Sequence, residues 1–151
     1  MSTSRLNMYW NKLDQFVTWF MSTFSITFLR MALALTFVWF GALKIFNVSP
    51  VADLVAETVY WVSPKFLVPF LGLWEVIVGL GLMFRIALRL IIFLFLVQMA
   101  GTFLVLVFHP EIAFQSGNPL LLTVTGEFVV KNLVLISAGL VIGSTVRRKG
   151  K

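Results

Sequence analysis

Apolar residues form four long runs along the chain, each bounded by charged residues, prolines or glycines. A helix needs roughly 20 mainly apolar residues to cross a bilayer core about 30 Å thick. Helices suit this setting because they satisfy every backbone polar group within the segment. We therefore predict four membrane-spanning helices, at about residues 24–46, 66–84, 88–108 and 122–146.

The first 23 residues follow a different pattern. Between residues 5 and 21, aromatic and aliphatic side chains such as Trp10, Phe16 and Phe20 recur at helical spacing, and Lys12 and Asp14 fall on the opposite face. This pattern is typical of an amphipathic helix at a membrane interface. We expect residues 1–23 to form a separate segment that lies on the inner membrane surface.

Two connections also carry a prediction. A weaker helical pattern between Pro50 and Pro64 indicates a short helix that covers the outer face of the bundle. The second and third spans are joined so closely around Arg85 and Arg89 that they should form a helical hairpin. Residues 24–146 are therefore expected to fold as one domain.

The positive charges predict the orientation of the spans. Cytoplasmic loops carry an excess of Lys and Arg, and here the two ends and the middle loop hold most of these residues. The other side holds only Lys44 and Lys65. The fold class is therefore all-α, an integral membrane four-helix bundle with both ends inside and a basic cytoplasmic tail at 147–151. The residues on the basic side are Arg5, Lys12, Arg85, Arg89, Arg147, Arg148, Lys149 and Lys151.

Composition narrows the classes of function. Of the 151 residues, 60% are apolar and 12% are charged. This apolar fraction is too high for a small water-soluble fold, which could not bury so much apolar surface. The net charge is +6, but the basic residues lie at the predicted membrane borders and not in one cluster, so no nucleic-acid partner is expected. Without cysteine and with one histidine, no thiol chemistry and no metal site are expected. Catalysis would need a bound cofactor or another chain.

Polar residues within the predicted spans are the candidates for a site. Charged side chains at bilayer depth cost roughly 2.5–3.5 kcal/mol each on insertion scales, so those present usually face the bundle interior. Glu75 and Gln98 fall about 15 Å from the inner border. Lys131 falls about 24 Å from it, with Glu127 one turn further out. We expect these four residues to line one polar seam.

Two roles stay open for Glu75. Paired with Lys131 or Lys44 and bonded to Gln98, it would clamp helices together. As a neutral carboxyl, it could exchange a proton and donate a hydrogen bond to a quinone carbonyl. Arg30 needs a partner or a lipid headgroup inside the first span, and Lys44 is expected to extend its amine towards the outer border.

Three further residues have two interpretations each. Trp74 either anchors its span at the membrane border or lines a pocket beside Glu75. Gly139 and Gly143 form a G-x-x-x-G motif in the fourth span. Such a motif serves close packing within one chain, or the face of a homo-oligomer.

Three motifs occur in order, at residues 30–44, 72–79 and 126–133. Together they resemble the DoxX-like superfamily of small four-helix membrane proteins, and most closely its YkgB-like branch, over residues 26–146. The resemblance implies a bacterial inner-membrane protein. The superfamily is named for a subunit associated with thiosulfate:quinone oxidoreductase, and other members are tied to oxidative-stress responses. The matching motif positions include Arg30, Lys44, Glu75, Glu127 and Lys131.

Three functional hypotheses follow. The first is a subunit or accessory of a membrane redox or oxidative-stress system that binds a quinone-like molecule near Glu75, Trp74 and Gln98 and works with a soluble redox partner. The second is an oligomeric transport component with a proton relay through Glu75, Lys131 and Glu127. The third is a membrane scaffold whose basic ends dock a soluble partner or anionic lipids.

Overall fold

The described part of the chain is helical. The computed structural model describes residues 3–59 and 62–146, so the predicted basic tail at 147–151 lies outside the described residues. Within them there is no β-strand, only an isolated bridge between Phe114 and Leu122. The elements are α1 (Thr3–Ile45), α2 (Ala52–Thr58), α3 (Pro64–Phe84), α4 (Leu88–Thr102), α5 (Leu104–Phe108), α6 (Pro110–Ala113), a 3-10 turn (Gln115–Gly117) and α7 (Val124–Ser144).

The four predicted spans are present as long apolar helices. Within the described residues, the stretches long and apolar enough to cross a membrane are Tyr9–Ile45, Pro64–Phe84, Leu88–Phe108 and Val124–Ser144. The third stretch is not one regular helix, because α4 ends at Thr102 and α5 begins at Leu104. Gly101 lies just before this break, and glycine is a poor helix former. The span is therefore divided near one end.

The first helix runs without a break from Thr3 to Ile45. The predicted boundary at residue 23 is thus not a helix end, because no glycine or proline occurs between Thr3 and Phe40. At 1.5 Å per residue, the apolar stretch of 37 residues measures about 55 Å, well beyond a bilayer core of about 30 Å. Side chains 9–25 are all exposed. The amphipathic part of α1 therefore extends past the bundle.

The spans pack as a ring in which α1 contacts α3, α3 contacts α4, α4 contacts α7 and α7 contacts α1. The contact between α1 and α3 is the most extensive of these. It is built on small residues: a Cβ atom placed on Gly79 would lie 2.8 Å from the carbonyl oxygen of Ala34. Small side chains let two helix backbones approach closely.

The short helix and the helical hairpin predicted for the two connections are present, and coverage of the outer membrane face by the short helix stays a prediction. A short helix, α2, lies between Pro50 and Pro64 and contacts α3. Three residues separate α3 from α4, and Arg85 and Ala87 take left-handed φ values of 59° and 44° to make the reversal. The Arg85 N–H bonds to the Gly81 carbonyl and ends α3.

The tightly packed core fills the half of the bundle next to the α3–α4 connection. Phe95 is 1% exposed and lies 5.1 Å from Phe37, ring centre to ring centre. A Cβ atom on Gly139 would collide with the Phe95 ring, and one on Gly143 would contact Ile92. These two glycines thus face α4 of their own chain. A homo-oligomer through the same motif stays a prediction, and it would have to share this surface.

Candidate functional site

A buried ion pair joins α1 to α3. Lys44 Nζ donates hydrogen bonds to both carboxylate oxygens of Glu75, at 2.8 and 2.7 Å, and the two residues are 6% and 8% exposed. Gln98 on α4 donates from Nε2 to Glu75 Oε1 at 2.7 Å. Three helices therefore meet at one carboxylate. The cation is Lys44 rather than Lys131, and Lys44 turns into the bundle instead of extending outwards.

Two glycines bring these charges together. Gly41 precedes Lys44 by three residues and Gly72 precedes Glu75 by three, so each glycine shares a helix face with its charged neighbour. A Cβ atom on Gly41 would lie 2.5 Å from the Gly72 carbonyl oxygen and 2.9 Å from Glu75 Cβ. The backbones of α1 and α3 are close enough here for the side chains to meet. The sequence shows that each charged residue follows a glycine by three positions. It does not show that the two helices carrying these pairs pack against each other.

The ion pair corresponds to the clamp interpretation of Glu75. Burying either charge alone would cost several kcal/mol, and the attraction between the two offsets this only with good geometry and further hydrogen bonds. Both conditions hold, because each carboxylate oxygen accepts a short bond from Lys44 and Oε1 accepts a second one from Gln98. The three residues stabilise one arrangement of α1, α3 and α4.

A cavity of about 490 Å³ lies directly beside this cluster. It occupies the half of the bundle away from the core and is lined by residues of α1–α5 and α7. Its walls are mainly apolar, and Lys44, Glu75 and Gln98 contribute polar atoms on one side. The apolar lining includes Phe37, Phe40, Val51, Leu54, Val55, Leu67, Leu71, Val105, Phe128 and Val129.

Trp74 belongs to the cavity wall. Its indole Nε1 lies 3.4 Å from the Leu94 carbonyl oxygen, and its ring contacts Phe70 edge-on at 6.1 Å between ring centres. The indole is therefore held between α3 and α4. Of the two interpretations for Trp74, its position fits the pocket.

Two polar groups of the wall were missed by sequence reasoning. Asn132 Nδ2 donates to Thr102 Oγ1 at 2.8 Å and joins α7 to α4, and both residues line the cavity. The sequence does contain a signal for Asn132, because it is a polar amide within an apolar span, next to Lys131.

Glu127 and Lys131 lie apart from the cluster. They form an i,i+4 pair at 3.3 Å on the surface of α7, with side chains 57% and 66% exposed, and Lys131 also lies over the Phe128 ring. Their helix face points away from the bundle, while Val129 is buried on the other face. The expected single seam is therefore wrong for these two residues. The described hydrogen bonds and ion pairs do not link them to Glu75 as a relay.

Arg30 has its partner at the end of α3. Its guanidinium donates to the carbonyl oxygens of Leu82 and Met83 at 2.6 and 2.8 Å. Carbonyls in the last turn of a helix have no partner within the helix and carry partial negative charge. Arg30 therefore satisfies these groups and ties α1 to α3 at the far end from Lys44. Within the described residues no group of three histidine, aspartate or glutamate side chains could hold a metal ion.

The comparisons with known proteins give a family. The DoxX family model matches residues 25–110, which hold the first three spans and Arg30, Lys44, Glu75 and Gln98. The motif at 126–133 lies beyond the match. No curated protein and no solved structure matches the chain significantly. Because the matched region covers more than half of the chain, this four-helix membrane protein belongs to the DoxX family.

Proposed function

We propose that the protein binds a lipophilic molecule with a polar head, of the quinone type, in the cavity beside Glu75. The observation that carries the proposal is the juxtaposition of the mainly apolar space of about 490 Å³ with the Lys44–Glu75–Gln98 cluster. Ligand sites are commonly apolar cavities with a few polar groups that fix orientation. The apolar tail would lie among the α2, α5 and α7 side chains.

The polar cluster would orient the head of such a molecule. Two of the three ammonium protons of Lys44 are bonded to Glu75, which leaves one donor. A carbonyl or hydroxyl oxygen in the head of the bound molecule would accept from this group. Glu75 would hold Lys44 in place, rather than donate a proton itself as the neutral form would.

We further propose that the protein is a membrane subunit or accessory of a redox or oxidative-stress system in the bacterial inner membrane. This proposal and the assignment to the YkgB-like branch depend on the resemblance of the sequence motifs, beyond the family match itself. This chain would contribute the binding cavity, and a soluble redox partner would supply the catalytic groups. The exposed apolar face of residues 9–25 would lie against the inner surface of the membrane.

Retention of a molecule in the cavity tests the binding proposal. Gly101 lines the cavity, and a Cβ atom there meets nothing within 4 Å. Gly101 is also exposed, so Gly101→Phe places a ring at the margin of the cavity, where it should obstruct binding without disturbing the ion pair. Mass spectrometry of organic extracts from gently purified protein should find a lipophilic molecule in roughly stoichiometric amount in the wild type and at least tenfold less in Gly101→Phe.

Gly101→Ala is the matched control, since it adds one methyl group and should retain the molecule. Val134→Phe places the same ring on an exposed face of α7 outside the cavity and should also retain it. The proposal fails if the wild type retains no such molecule, or if Gly101→Phe retains as much as the controls.

The orientation with both ends inside is also a proposal, supported by the distribution of Lys and Arg. Because the chain has no cysteine, single substitutions report directly on each loop. A maleimide reagent that does not cross the inner membrane should label Ser116→Cys in intact cells. It should label Ile86→Cys and Ser4→Cys only after that membrane is opened. The opposite pattern would reverse the orientation.

A further inference from the structure

The Gln98 amide carries a buried acceptor without a donor. Its Oε1 atom is shielded from solvent and has no hydrogen-bond partner among the described residues. Of the buried side-chain nitrogen and oxygen atoms that the structure describes, this is the one without a partner. Buried polar groups in folded proteins are nearly always bonded, so such an atom calls for a physical explanation.

Rotation of the amide does not remove the problem. Gln98 Nε2 donates to Glu75 Oε1, and a carboxylate paired with an ammonium group has only acceptors to offer. Exchanging the two ends of the amide would set Oε1 against the carboxylate, so the ion pair fixes which end faces Glu75. The Lys44–Glu75 pair is therefore the reason why Gln98 Oε1 is left without a donor.

Gln98 also belongs to the wall of the cavity. Oε1 itself is shielded, so a molecule held there can supply the donor once the end of the side chain turns towards the cavity. A quinone carbonyl or an ether offers only acceptors, and neither can supply this bond. A hydroxyl group can donate to Gln98 and accept from Lys44 at the same time.

We infer that the cavity selects a lipophilic molecule whose head carries a hydroxyl group, an alcohol or a phenol such as a reduced quinol, over one that carries only acceptors. The inference rests on the proposed binding function and specifies the chemistry of its ligand. A subunit with this preference would hold the reduced form of a quinone couple more tightly than the oxidised form.

Direct competition tests the preference. Purified protein in detergent is mixed with equal amounts of a long-chain 4-alkylphenol and its O-methyl ether, and native mass spectrometry measures the ratio of the two complexes. The methyl ether keeps the oxygen and the tail but has no proton to donate. The wild type should favour the phenol roughly tenfold more than Gln98→Met does, which keeps the side-chain length and loses the amide.

Gln115→Met is the matched control, because it makes the same substitution at a glutamine outside the cavity, where the amide donates to the Leu122 carbonyl oxygen. It should keep the wild-type ratio. Binding of both compounds with the same ratio in wild type and Gln98→Met would overturn the inference and leave the binding proposal standing. No binding of either compound to the wild type would overturn both.

Discussion

Lys44→Met is expected to destabilise the protein by about 3–5 kcal/mol, because it leaves the Glu75 carboxylate buried without its cation. Lys44 supplies both of the short bonds that span the two carboxylate oxygens, and Gln98 alone would remain. Methionine keeps the approximate length and the apolar stem of lysine, so the loss of stability measures the effect of removing the charge. Unfolding in mixed detergent micelles, followed by circular dichroism, measures the difference.

The chain contains its own control for this substitution. Lys131→Met removes the same charge from an exposed i,i+4 pair, and such pairs contribute about 0–1 kcal/mol. The double variant Lys44→Met/Glu75→Gln should recover most of the loss, because it removes both buried charges. Equal effects of Lys44→Met and Lys131→Met would contradict the assignment of Glu75 to Lys44.

Gly72→Ala should cost about 1–3 kcal/mol, the usual range for overfilling a packed interior. The added Cβ atom would lie 2.7 Å from the Gly41 carbonyl oxygen and 2.8 Å from Lys44 Cβ. Relief requires α1 and α3 to move apart, because one of the contacted atoms belongs to the backbone. The separation would also lengthen the Lys44–Glu75 contact.

Gly101→Ala is the matching substitution at an open position, where the new methyl group meets no atom within 4 Å. It should cause no loss of stability, since alanine is the better helix former. Both variants are compared in the same micelle unfolding experiment. If Gly72→Ala were as stable as Gly101→Ala, the close approach of α1 and α3 could not be what positions the ion pair.

The four spans could be predicted because each depends on local properties alone. Length and apolarity within one segment decide whether it can cross a bilayer. The predicted limits of the second, third and fourth spans, and the end of the first, differ from the observed limits by about two residues at most. The break near Gly101 was not predicted, since a single glycine is often tolerated within a helix. The continuity of α1 was also missed, because a change in amphipathic pattern suggested a boundary where the backbone has none.

The site was predicted in part, for a similar reason. Depth along a span follows from counting residues, so Glu75 and Gln98 were placed together correctly. The choice between Lys44 and Lys131 depends on which helices are neighbours and how they are rotated, and one sequence does not contain this information. Glu127 and Lys131 form an ion pair within α7. Counting residues along the span gives their depth but does not show that they pair with each other.

The two links between α1 and α3 have a mechanical consequence. Arg30 holds one end of this helix pair and Lys44 the other, 14 residues or about 21 Å apart along α1. Fastening at two distant points prevents α1 from sliding or rolling against α3. The two helices therefore form a rigid side of the cavity. The parts of its wall with fewer such links are α2 and the short α5 segment, which are separated from the neighbouring helices by breaks.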